Sequence, residues 1–136
     1  MTISNEYKIP IDPYNKIAIS IHYYEPSDFT NTYDFDLTYI DDDGHERNFE
    51  TIKKWGTDFD YNEMISNFEL LKNHFIDKGI PVIIGQAGVL TEEKKEKESI
   101  EDYLFFEFAL SSDYFGIMSC LWDTSQKSAG DMNYYN

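Results

Sequence analysis

A chain of 136 residues is the size of one ordinary domain, or of a piece of a larger one, and is long enough to bury a core. Its 26 acidic against 11 basic side chains leave a net charge of −15, which disfavours nucleic acid and anionic membrane surfaces, both of which demand Lys and Arg. An aromatic share of 17% argues against disorder and supplies flat faces of the kind that pack on sugar rings, although the same residues can simply fill a core. An acidic surface is compatible with a neutral polysaccharide and equally with plain solvation.

The single cysteine, Cys120, lies in an apolar run and is expected to be a buried structural thiol, since it has no internal disulfide partner. No zinc-ligand spacing occurs, and no apolar stretch is long enough to cross a membrane. Residues 1–10 carry Asn5, Glu6 and Lys8 without an apolar segment, so no secretory signal is expected in this chain.

In chain order, the β-branched run Lys16-Ile17-Ala18-Ile19-Ser20-Ile21-His22 predicts a buried strand within residues 15–24. Alternating segments flank Asp41-Asp42-Asp43-Gly44 and predict a hairpin insertion over residues 31–53. The aspartates there lack the ordered spacing and closing glutamate of a calcium loop. Tyr61, Met64, Ile65, Phe68, Leu71, Phe75 and Ile76 recur at helical spacing, predicting a helix over about 60–78, started by Asp58 or Asp60 and stopped by Gly79. Residues 80–86 are apolar on both faces, as in a parallel strand covered on both sides.

A second helix is expected to start at Thr91, run through a solvated charge cluster at 92–98 and pack Ile100, Tyr103, Leu104 and Phe108. Residues 116–122 form a third strand, followed by a loop-like tail. The fold class is therefore α/β: βαβαβ with parallel strands and right-handed crossovers, in a single domain over residues 1–136. Polar punctuation falls at the strand C-termini, at His22-Tyr23-Tyr24, Gly85-Gln86 and Trp122-Asp123, the edge where parallel α/β folds collect functional groups. No Gly-rich phosphate loop follows any strand, and no metal or cofactor is expected.

Several segments in this order resemble glycoside hydrolase family 5, the cellulase family built on a (β/α)8 TIM barrel. Residues 18–30, with His22-Tyr23-Tyr24, are similar to its sixth strand and His-x-Tyr motif. Lys54-Trp55-Gly56-Thr57-Asp58 is similar to the run before the sixth helix, residues 78–85 to the seventh strand, and Cys120-Leu121-Trp122-Asp123-Thr124 to the eighth. The resemblance implies a partial barrel and a substrate that is a β-1,4-glucan or related oligosaccharide. It also implies a secreted protein. His22 would orient a sugar hydroxyl or a neighbouring site group, Tyr24 would donate a hydrogen bond to the nucleophile, Trp122 would floor a glucose ring, and position 86 would be the nucleophile.

The chain departs from that pattern twice. Position 86 holds Gln86, a neutral amide that cannot readily attack an anomeric carbon. The Asn-Glu-Pro triplet that would supply the general acid is absent, whereas retaining hydrolysis needs two carboxyl groups about 5–5.5 Å apart. Glu25 and Asp123 are the acids nearest the expected pocket. Three readings follow: the C-terminal part of a family 5 hydrolase, inactive alone; a non-catalytic glycan-binding module; or an assembly piece that pairs with a complementary N-terminal barrel half or with itself. A plain βαβαβ domain, with Gln86 and His22 as ordinary hydrogen-bonded residues, is the reading without the resemblance.

Overall fold

Along β1 (Ile19–Tyr23), Ile19, Ile21 and Tyr23 alternate with the exposed Ser20 and His22. This period of two turns one row of side chains towards the helices and the other to open solvent. The computed structural model describes residues 8–30, 38–40, 44, 46–48, 54–91 and 95–123. Its main sheet has three parallel strands in the order β1, β4 (Val82–Ala87) and β5 (Met118–Leu121). Between them come a short helix α1 (Ser27–Thr30), the antiparallel pair β2 (Thr38–Ile40) and β3 (Glu46–Asn48), and two long helices, α2 (Asp58–His74) and α3 (Lys97–Ala109). The Asp41–Asp43 cluster lies outside the described residues.

β1 begins later than the apolar run suggests. Asp12 accepts backbone hydrogen bonds from Tyr14, Lys16 and Ile17, curling the lead-in into a turn that ends only where Ile19 N donates to Pro81 O (2.8 Å). These bonds favour the charged carboxylate and hold the Asp12 pKa below its ordinary value.

α2 is capped by Thr57 rather than by Asp58 or Asp60. The Asp60 amide donates to Thr57 Oγ1, and Asp60 Oδ2 accepts from the amides of Thr57 (2.8 Å) and Gly56 (3.1 Å), a capping box that satisfies otherwise orphaned donors. The helix gives way to a 3₁₀ turn (Ile76–Lys78), and Gly79, at φ 76°, adopts the left-handed stop. α3 starts at Lys97, not at Thr91, because Glu96 is the last residue with extended backbone before it. It ends in one π-helical turn (Leu110–Tyr114).

One face of the sheet forms the core. Ile19, Tyr23, Val82, Ile84, Ala87 and Ile117 cluster with Met64, Phe68, Leu71 and Phe75 of the α2 region and with Ile100 and Tyr103 of α3. Tyr23 meets Phe68 edge-on (5.2 Å between ring centres) and accepts from Asn67 Nδ2 at 3.2 Å, so its phenol is both packed and hydrogen-bonded. A second aromatic knot joins Trp55, Tyr61, Tyr103 and Phe106. Trp55 Nε1 is buried without a hydrogen-bond acceptor among the described residues, its indole lying nearly perpendicular to the Tyr61 and Tyr103 rings.

The opposite face of the sheet is uncovered among the described residues. Ser20 and His22 of β1 and Met118 and Cys120 of β5 are exposed there. Cys120 is therefore not a buried structural thiol: its run is apolar, but alternation along β5 points it away from the helices. Phe108 is also half-exposed rather than part of the packed stripe.

Candidate functional site

Three parallel strands place their C-termini on one edge, so Tyr24, Gln86 and Trp122, which end or follow them, meet there. The decisive local feature is an irregularity in β4. Ser20 pairs with Ile83 and Ile21 with Ile84, but His22 pairs with Gln86, so Gly85 is an extra residue. Without it, residue 86 would continue the row of Val82 and Ile84 into the helix layer. With it, Ala87 takes the buried place and Gln86 shares the open face with His22. Glycine avoids a close contact at that point: a Cβ on residue 85 would lie 2.9 Å from Ser20 Oγ, so the Ser20 side chain would have to shift.

The Tyr24 hydroxyl donates to Gln86 Oε1 at 3.3 Å. Partial burial raises the Tyr24 pKa, so the phenol keeps its proton and remains a donor. The Trp122 amide donates to Ala87 O at 2.8 Å, fixing the indole-bearing residue one position from Gln86; the Trp122 side chain is 44% exposed. His22 is exposed beside Gln86. The four residues singled out from the sequence thus lie on one rim.

The loop carrying Tyr24 is held from below. Thr30 Oγ1 donates to Tyr24 O (2.6 Å), Leu90 N donates to Thr30 O (2.8 Å), and Tyr103 Oη donates to Glu25 O (3.0 Å). Phe29 and Thr30 of α1 are fully buried, which ties this short helix, not visible in the sequence pattern, to the segment after β4. Lys95, also buried, donates to Leu90 O at 3.1 Å and lies over the Phe29 ring.

Chemically, the rim offers a neutral amide, a phenol donor, an imidazole and an exposed indole. That set can orient hydroxyls and stack a pyranose ring; no carboxylate stands at position 86 to form a covalent glycosyl intermediate. Among the described residues no group of three or more His, Cys, Asp or Glu side chains is placed to hold a metal ion.

Sequence reasoning missed two local details, the bulge that aims Gln86 and a buried carboxyl group away from it. The bulge was signalled only by a glycine inside an apolar strand, directly before a polar residue. Glu107 is buried on α3, where Ser119 Oγ donates to its Oε1 at 2.9 Å; burial pushes its pKa up to about 7. The apolar neighbours Phe106 and Phe108 are the signal for it in the sequence, and it is a weak one.

The family model for cellulase, glycosyl hydrolase family 5, matches residues 2–128. Endoglucanase B of Paenibacillus lautus is 38% identical over 68 residues, which are 48% of this chain and 12% of that protein. Endoglucanase B of Clostridium cellulovorans is 26% identical over 129 residues, 95% of this chain and 26% of that protein. Among solved structures, a broad-specificity endoglucanase from an uncultured bovine rumen ciliate superposes with a TM-score of 0.88 at 51% identity, covering 98% of this chain and 38% of its own. A xyloglucan-specific endo-β-1,4-glucanase from a metagenomic library, in complex with cellotriose, superposes at 0.68 with 25% identity, over 95% of this chain and 35% of its own. The fold also matches a Caldicellulosiruptor lichenase, solved as a glutamate-to-glutamine mutant with cellotetraose (TM-score 0.72, 24% identity, 96% of this chain and 32% of its own). The chain thus spans about a third of the solved structures and a quarter or so, at most, of the curated relatives.

Proposed function

Because the chain belongs to glycosyl hydrolase family 5, we propose that its sheet edge forms one wall of a β-1,4-glucan cleft, corresponding to the sixth to eighth strands of the barrel, and that it does not cleave glucan alone. The observation that carries this reading is the Tyr24–Gln86 hydrogen bond beside His22 and the exposed Trp122. Gln86 stands where the family's nucleophile would stand, and an amide there can hold a sugar hydroxyl but not form the glycosyl-enzyme bond. The general acid would come from a complementary part of the barrel.

A second reading, glycan binding without cleavage, is favoured by the exposed indole of Trp122.

Calorimetric titration of the folded chain with cellotetraose tests the wall. Saturable binding that Trp122→Ala abolishes supports a glycan surface, whereas absence of binding rejects one in the isolated chain. The catalytic assignment is tested separately, by combining the Gln86→Glu chain with the part of the rumen-ciliate endoglucanase that this chain does not cover. Hydrolysis of β-glucan by that complex, and none with Gln86, supports position 86 as the nucleophile; a formed but inert Gln86→Glu complex rejects it.

A further inference from the structure

Tyr24 and Gln86 follow or end different strands, so their 3.3 Å bond requires both segments to be held in place. The segments are joined a second time, through Thr30. Its hydroxyl donates to Tyr24 O at 2.6 Å, folding the loop behind the phenol back on itself. Its carbonyl accepts from Leu90 N at 2.8 Å, on the segment that continues from Gln86 and Ala87. Hydrogen bonds and chain thus close a circuit. It runs from the Tyr24 side chain to Gln86, along the backbone to Leu90, across to Thr30, and back through the hydroxyl to the Tyr24 backbone. Thr30 is fully buried and Leu90 nearly so, which shields the two linking bonds from water. Each arm is also anchored outside the circuit, by Lys95 Nζ donating to Leu90 O and Tyr103 Oη donating to Glu25 O. A threonine in a helix ordinarily turns its hydroxyl to the carbonyl four residues back, here Pro26 O. That contact is 3.2 Å, against 2.6 Å to Tyr24 O, so the bond to the loop is the shorter of the two.

We infer that Thr30 is a positioning residue for the rim, its hydroxyl and carbonyl together setting the approach of Tyr24 Oη to the side chain at position 86. The inference rests on the reading of position 86 as the site's central position. Thr30 acts through Tyr24 and lies beneath the rim. Valine would fill nearly the same space and keep the carbonyl bond to Leu90, while releasing the Tyr24 backbone.

The test uses the full 136-residue chain carrying Gln86→Glu and follows the position-86 carboxyl by NMR titration. Thr30→Val should raise its pKa by about 0.5–1 unit, as much as Tyr24→Phe does, because a carboxylate that loses a hydrogen bond is less favoured. Thr30→Val added to Tyr24→Phe should raise it no further, and Thr30→Ser, which keeps the hydroxyl, should retain the value seen with Thr30. Ser111→Ala deletes another fully buried hydroxyl, bonded to Phe108 O, and should leave the titration unchanged although it destabilises the chain. His22, beside position 86, is common to every variant and drops out of the differences. An unshifted titration in Thr30→Val, with Tyr24→Phe still effective, overturns the role of Thr30 and leaves the Tyr24 contact standing. Indifference to both substitutions overturns the contact and the role together. An equal shift from Ser111→Ala would assign the effect to general loosening and overturn the proposal. Hydrogen exchange in the unsubstituted chain decides the matter even where Thr30→Val does not fold. The Leu90 amide should exchange within about ten-fold of the slowest amides of β4, and exchange at the rate of an open loop overturns the clamp.

Discussion

Tyr24 Oη donates to the side-chain oxygen of Gln86 across 3.3 Å, joining the loop after β1 to the end of β4. The same geometry would serve a carboxylate better than an amide, because a hydrogen bond to an ionised acceptor is shorter and roughly twice as strong. In the Gln86→Glu chain the phenol should therefore stabilise the ionised form of the new side chain. Removing it with Tyr24→Phe should raise the pKa of that carboxyl by about 0.5–1 unit, read by NMR titration of an isotope-labelled carboxyl at position 86. Identical titrations in the two backgrounds would show that the phenol does not reach the carboxylate.

The Gly85 bulge, which re-aims Gln86, gives a second expectation. An alanine Cβ would approach Ser20 Oγ to 2.9 Å, while the next nearest atom, Ile21 O, lies at an ordinary 3.7 Å. Gly85→Ala should thus cost about 1–2 kcal/mol, since Ser20 is exposed and can partly move away. In a Ser20→Ala background most of that cost should vanish. A double-mutant cycle by urea unfolding with a coupling near zero would place the strain elsewhere.

The sequence was most legible where its periodicity was strong. Met64, Phe68, Leu71 and Phe75 announce α2, and the β-branched runs around Ile19 and Ile83 announce a parallel sheet. Polar punctuation at the strand C-termini marked the rim on which His22, Tyr24, Gln86 and Trp122 meet, and the resemblance supplied what periodicity cannot, namely the barrel type. Local detail was hidden for physical reasons. Thr57 and Asp60 compete for the cap, and only their mutual hydrogen bonds decide it. A bulge is a single inserted residue, which periodicity cannot distinguish from a continuous strand. The exposure of Cys120 and Phe108 depends on which faces have neighbours, and an apolar residue carries no record of what covers it.

Cys120 supplies a third expectation. It alternates with Ser119, which faces Glu107 and the helix layer, so its thiol lies on the open face of the sheet. A thiol reagent such as Ellman's should label one cysteine per folded chain, at a rate within about ten-fold of that in urea, because access limits labelling. If further strands close the sheet over this face, the same thiol should become protected on complex formation. Slow labelling of the free folded chain would mean that the face is already covered.

Glu107 gives the clearest pH dependence. Its folded-state pKa of about 7, against 4.5 for an unperturbed glutamate, reflects burial, opposed by the hydrogen bond from Ser119. The folded state therefore keeps a proton that the unfolded chain releases between pH 4.5 and 7, so this group's contribution is most favourable below that window. It falls by about 1.4 kcal/mol per pH unit across the window, reaching about 3 kcal/mol lost above it. Glu107→Gln cannot ionise, and its amide retains a partner in Ser119. It should flatten the slope across that window and stabilise the chain by about 2–3 kcal/mol at about pH 8, with little change at the acid end. Denaturant unfolding across that range measures both quantities. A Gln variant with the parent's slope would show that Glu107 is ionised in the folded chain at neutral pH, and that its burial between α3 and β5 is incomplete.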